Sequence, residues 1–183
     1  MKKTPEFNPR RLDARAFSKN GATLSGRWPL SGFTRLRDAL AASRDGTVQG
    51  AVDWTVRGEE VPQRGGATQA WLHLEARTVL PLVCQRCLGP THETLTLERD
   101  YQFVADEETA RLLDAEVEHE VLVLERELDL HALLEDELLL DLPLVPRHEV
   151  CPQPLEGGGN GSAAGDKPFA ALAGMIGARR DSD

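Results

Sequence analysis

Cysteine is scarce in this sequence: three residues in a chain of 183. An odd count with no export signal excludes a disulfide framework and argues for a reducing compartment. Long apolar runs are missing too. No window approaches the roughly 18 apolar residues that cross a bilayer, so no membrane partner is expected. The opening MKKTPEFNPRRL is basic but has no apolar stretch behind it, which reads as no secretory signal and a cytoplasmic protein. Marks of catalysis are equally thin. The run GGGNG is followed by no strand–helix unit, so it is no phosphate loop, and no serine sits in a nucleophile elbow. HALLEDE sets His131 and Glu135 one helical turn apart but lacks the second histidine of a zinc-protease helix. Its leucines make it a core helix with a wet acidic face. No internal repeat is visible. The expectation is a chain that is no enzyme and takes no small-molecule substrate.

What is present is a core's worth of apolar residues and a segregated charge. Hydrophobic residues make up 40% and charged ones 28%, enough to bury one domain. The net charge of -9 hides an asymmetry. Met1 to Arg44 holds ten lysines and arginines against three acids, whereas Glu98 to Asp141 holds sixteen acids against three arginines. Such blocks either meet in the fold, serve two partners, or only keep two surfaces wet.

The patterning predicts an α+β domain over residues 1–155. Helical segments are expected at Asp13 to Lys19 and in FTRLRDALAAS, where Phe33, Leu36 and Leu40 share a face. TVQGAVDWTVRG, QAWLHLEARTVLPLVC and THETLTLERDYQFVA alternate as strands, and around the cysteines they form an antiparallel meander that could curl toward a barrel. EEVPQRGGAT reads as loop. ADEETARLLDAEVEHE reads as an acidic loop with a helical turn at Thr109 to Leu113, followed by a short strand, EVLVLE. Asp129 can cap a helix bearing Leu130, Leu133, Leu134 and Leu138 as its apolar stripe, with Pro143 ending it. Residues 156–166 are a Gly-rich flexible linker, and 167–183 a short amphipathic tail with Phe169, Leu172 and Ile176 at helical spacing.

One local motif carries chemistry. In LPLVCQRCLGP, Leu80 to Pro90, two cysteines stand three apart at the end of an apolar run. Cys-x-x-Cys offers two thiolates on one tight turn, which suits tetrahedral zinc. Two more ligands are needed, and His148 and Cys151, spaced H-x-x-C, can supply them. Cys84, Cys87, His148 and Cys151 would form a Cys3His site. A redox pair is disfavoured, because a thioredoxin-like site opens a helix and this knuckle leads into a strand. A plain hairpin turn, with Gly89-Pro90 as its punctuation, is the remaining reading.

The knuckle CQRCL, the acidic helix followed by DLPLVPRH, a cysteine just beyond, and a Gly-rich linker ending in KPFAAL together resemble the YceD family. These are the large ribosomal RNA subunit accumulation proteins of bacteria and plastids. The resemblance runs from about Arg11 to the tail and rests on the order of several short motifs. The family's closing motif usually reads Asn-Pro-Phe, and Lys167 stands here in place of that Asn. The resemblance implies a role in synthesis, processing or stability of 23S ribosomal RNA and in large-subunit assembly. It implies no established catalytic residue and no established metal.

Two mechanisms from different classes fit such a role. Arg10, Arg11, Arg15, Arg27, Arg35 and Arg37 could meet RNA phosphates, with Phe17, Trp28 and Phe33 available for stacking, although those aromatics read better as core. Alternatively the acidic block meets a basic ribosomal protein through Glu107, Glu108, Glu116, Glu118 and Glu120 in a mobile loop, and the Phe169/Leu172/Ile176 tail docks on a partner. The denser acidic block favours the second. The runner-up function is a zinc-stabilised protein-interaction module unrelated to ribosomes.

Overall fold

Alternation along the chain produces strands, and their pairing sorts the side chains into two faces. The computed structural model describes residues 6–42, 46–63 and 68–152, and Met1–Cys151 make up one compact unit. Its sheet holds β1 (Thr23–Pro29), β2 (Ala51–Pro62), β3 (Thr68–Val83), β4 (Pro90–Val104) and β5 (Glu120–Val123), side by side in chain order. β1 to β4 pair antiparallel, as the alternation around the cysteines predicts. β5 departs from the meander. It lies parallel to β4, and helix α3 (Glu107–Asp114) supplies the crossover that a parallel neighbour requires.

Three other expectations are corrected. The sheet does not curl into a barrel: β1 and β5 stay at opposite edges, and four residues of β5 leave little edge to close upon. The acidic segment is not a mobile loop around Glu107 and Glu108. Asp106 accepts the Thr109 N–H, and both glutamates sit in the first turn of α3, where the helix dipole favours acids. β2 starts at Ala51 rather than Thr47 and runs on to Pro62, into the stretch read as loop. Its start is set by Gly50, at φ 117, whose carbonyl accepts the Leu30 N–H.

On the inner face Val52, Trp54 and Val56 of β2, Leu72, Leu74 and Leu80 of β3, and Leu97 and Tyr101 of β4 are buried. Helices α1 (Ala14–Lys19), α2 (Thr34–Ala39) and α4 (Leu130–Leu140) contribute to the same core. Each fully buried leucine there stabilises by roughly 1.5–3 kcal/mol. α1 sits so close to β2 that a Cβ on Gly58 would come within 2.7 Å of the Phe17 ring, so only glycine fits. Asp13 and Asp129 cap α1 and α4.

The acidic side of α4 is not simply wet. Glu135 is buried and accepts the N–H groups of Arg35 (2.7 Å) and Leu36 (3.1 Å). Phe33 offers no side-chain cap to α2, so Glu135 caps that helix from another element. Glu137 is buried too, and accepts from Arg99 Nε and Tyr101 Oη, both at 2.9 Å. Arg99 also donates to Asp141 at 2.7 Å. His131 stacks on Phe33 with ring centroids 4.2 Å apart, and burial lowers its pKa. The linker at 156–166 and the tail at 167–183, including Phe169, Leu172 and Ile176, lie outside the described residues.

Burial works against ionisation of Glu135, but the Leu36 and Arg35 N–H groups and the Arg35 guanidinium hold its pKa below the ordinary 4.5. A depressed folded pKa gives stability that is complete above the unfolded value and is lost as pH falls through the folded one. Glu135→Gln should therefore cost about 2 kcal/mol at neutral pH. It should also flatten the loss of stability between about pH 5 and pH 3, which thermal melts across that range would read.

Candidate metal centre

The β3–β4 hairpin closes on its own backbone. The Cys84 N–H donates to the Gly89 carbonyl (2.9 Å), and the Leu88 N–H donates to the Cys84 carbonyl (2.8 Å). Leu88 takes φ 58, a left-handed conformation that costs an L-residue about 1–2 kcal/mol. Its side chain is 74% exposed, so packing does not offset that strain. The turn aims the N–H groups of Arg86 and Cys87 at the Cys84 sulfur.

The second pair of ligands arrives after α4. The Pro146 carbonyl accepts the Gln85 N–H (2.8 Å), which lays the proline-rich segment against the knuckle. Cys84 Sγ then lies 3.9 Å from Cys151 Sγ, and Cys87 Sγ lies 3.4 Å from His148 Nδ1. All four ligand atoms fall within 4.8 Å of one another. Zinc bonds of about 2.3 Å to sulfur and 2.0–2.1 Å to nitrogen imply tetrahedral edges of about 3.8 Å between sulfurs and 3.5 Å from sulfur to nitrogen. Those two contacts sit close to these edges. They are too long for a disulfide, and all three cysteines are free.

The histidine is oriented for ligation. Its Nε2 lies 2.8 Å from the Pro90 carbonyl. A carbonyl only accepts, so Nε2 carries the proton and Nδ1 presents its lone pair to the cluster. Burial opposes a thiolate at Cys84, yet the N–H groups of Cys87, His148 and Arg86 bring its pKa down to about 5. Cys87 goes the other way. The Gly89 N–H favours its thiolate, but burial and the sulfurs of Cys84 and Cys151 raise it. The Cys151 sulfur leads in raising His148. Three sulfurs this close ionise together only around a cation, and a divalent metal supplies one. Three thiolates and one neutral imidazole around Zn²⁺ would leave a net charge of about -1. Arg86 balances it, with Nε 3.2 Å from Cys151 Sγ and Nη2 3.2 Å from the His148 carbonyl. The four residues can hold a metal such as zinc.

Sequence reasoning grouped the four candidate ligands that the structure brings together but missed Arg86, the Pro90 carbonyl and the strained Leu88. Arg86 was visible as the one cation between two thiols, whereas the other two emerge only from the folded turn. The knuckle opens no helix and passes into β4, which removes the basis for a thioredoxin-like pair.

The six arginines considered for RNA do not gather. Arg11 makes a bidentate pair with Glu127 (2.9 and 2.7 Å), and Arg35 pairs with Glu135 and Asp136. Arg27 lies 3.6 Å from Asp53, and Arg37 lies 3.9 Å from Asp38. Arg10 and Arg15 make no ion pair among the described residues. Phe17 and Phe33 are buried, and Trp28 packs on Trp54 and His131. Glu107 and Glu108 on α3, Glu116 and Glu118 beyond it, and Glu120 at the start of β5 are all exposed.

Residues 72–175 match the model of the family described as large ribosomal RNA subunit accumulation protein YceD. That span takes in the knuckle, α4 and both later ligands. No curated protein and no solved structure matches the chain.

Purified protein should carry one zinc per chain by elemental analysis, and His148→Ala or Cys87→Ala should abolish it while a chelator lowers the Tm of the parent alone. Separately, Leu88→Gly should be neutral or stabilising by up to about 1 kcal/mol, because glycine removes the left-handed strain. Leu88→Ile should destabilise by about as much, and denaturant titration of the pair would show whether the sign reverses.

Proposed function

This chain belongs to the YceD family, and on that footing we propose that it is a non-enzymatic factor supporting synthesis, processing or stability of 23S ribosomal RNA and assembly of the large ribosomal subunit. The observation that carries this reading is the family match across residues 72–175. On this reading the protein works at the ribosome, in the cytoplasm.

The partner on this reading is a basic ribosomal protein rather than bare RNA. Four of the six arginines considered for phosphate contact already face carboxylates within 4.0 Å. Glu107, Glu108, Glu116, Glu118 and Glu120, in contrast, are exposed without a cationic partner among the described residues. A net charge of -9 works the same way, since it repels a polyanion and attracts a polycation. Zinc at Cys84, Cys87, His148 and Cys151 would be structural, because the four protein ligands leave no open position for substrate.

The ligand group also supports a second reading, a zinc-stabilised protein-interaction module unrelated to ribosomes. Depleting the protein in cells separates the two. The ratio of large- to small-subunit ribosomal RNA should fall, with a matching loss of large subunits on a gradient. An unchanged ratio would remove the ribosomal reading and leave the module.

A further inference from the structure

Every helix of the core packs on the inner face of the sheet, and among the described residues no helix covers the outer one. A trough of about 570 Å³ crosses that outer face over the backbone of Gly26, Trp54, Ala76 and Leu97. Its charges are only partly self-neutralised. Arg27 lies 3.6 Å from Asp53, Arg57 lies 2.9 Å from Glu59, and His73 lies between Glu59 and Asp100.

What is left over is acidic and in conflict. Glu75 on β3 and Glu98 on β4 are register partners, both exposed, and neither has a cationic partner among the described residues. Arg77, on the same face, makes no ion pair with either. Like charges directly opposite on antiparallel strands destabilise the pairing. Local and global preferences agree across most of this sheet, so a conflict maintained on its bare face answers to something outside the fold. Glu98 and Asp100 continue into a depression shared with Glu118 and Glu120, with Arg99 and His119 beside them, so exposed acids run continuously from β3 to β5.

We propose that the outer face of the sheet docks an extended arginine- and lysine-rich protein segment, whose cations lie on Glu75, Glu98 and Asp100. This rests on the basic-partner reading above and gives it a place. The same carboxylates repel RNA phosphates.

The test uses the purified full-length chain, a fluorescent 15-residue peptide of arginine, lysine and serine, and a single-stranded RNA oligonucleotide of equal length. Anisotropy compares the parent with Glu75→Gln/Glu98→Gln and with Asp114→Asn/Glu125→Gln, which removes the same charge from exposed positions away from the sheet face. The sheet variant should bind the peptide about fivefold more weakly, as the loss of two screened ion pairs implies, and the Asp114/Glu125 variant should bind it unchanged. The sheet variant should also melt about 1–3 °C higher, because a repulsion has gone. Equal weakening in both variants, no weakening in the sheet variant, or tighter binding of the RNA would overturn the proposal. The assay contains no ribosome, so its failure leaves the ribosomal RNA measurement to decide the broader reading by itself.

Discussion

The carboxylate of Glu137, buried between Arg99 and Tyr101, is the constraint from which the rest of the structure follows. An unpaired charge in that position would cost several kcal/mol. Its pairing with Arg99 and the tyrosine hydroxyl roughly cancels the cost, so the gain lies in location rather than in net stability. The helix can slide along β4 only by leaving a charge unpaired. Asp141, held by the same arginine, fixes the end of α4. Glu135, two residues before Glu137, then fixes α2 by capping it. Three helix positions are thereby referred to one strand.

The candidate metal centre inherits that reference. β4 carries Arg99, which holds α4, and Pro90, whose carbonyl holds His148. Those positions lie nine residues apart on one strand, or about 30 Å. The seven steps from Asp141 to His148 span at most about 25 Å, and side chains at both ends cover the remainder. The segment therefore runs extended, as Pro143 and Pro146 dispose it to do. Charge placement follows a similar logic. Part of the basic N-terminal block is consumed by acids near and on α4, through Arg11 with Glu127 and Arg35 with Glu135 and Asp136. The acidic surplus therefore appears on α3, β5 and the outer face of the sheet.

Features set by a residue and its near neighbours were legible in the sequence. The strand alternation, the cap Asp129, and the ligand quartet all belong to that class. The quartet was legible because each half is a local motif and the chain offers only one other pair. What a residue meets across the fold was not legible. Glu135 reads as a wet acid on an amphipathic helix, and only the arrival of α2 makes it a cap. The parallel partner of β5 depends on α3, whose first turn reads as loop in the sequence. The opposition of Glu75 and Glu98 is invisible until the register is known, since a slip of one residue would point them to different faces.

That register ties the knuckle to the outer face. Repulsion between Glu75 and Glu98 favours a slip or a fraying of β3 against β4, and the charges themselves offer nothing to resist it. Resistance comes from the two sides of the hairpin. Along the inner face, Leu74, Ala76 and Leu97 would leave the core if the strands slipped. At the tip, Cys84 and Cys87 are held to the segment after α4, and that segment is anchored to β4 through Arg99. A metal bound by the four ligands would close this circuit into a covalent-like clamp, in which neither strand can move without breaking coordination. On the proposed docking, the site's contribution to function would be indirect. It would keep two like charges facing each other on an uncovered surface, where a cationic partner would relieve a repulsion the fold leaves in place.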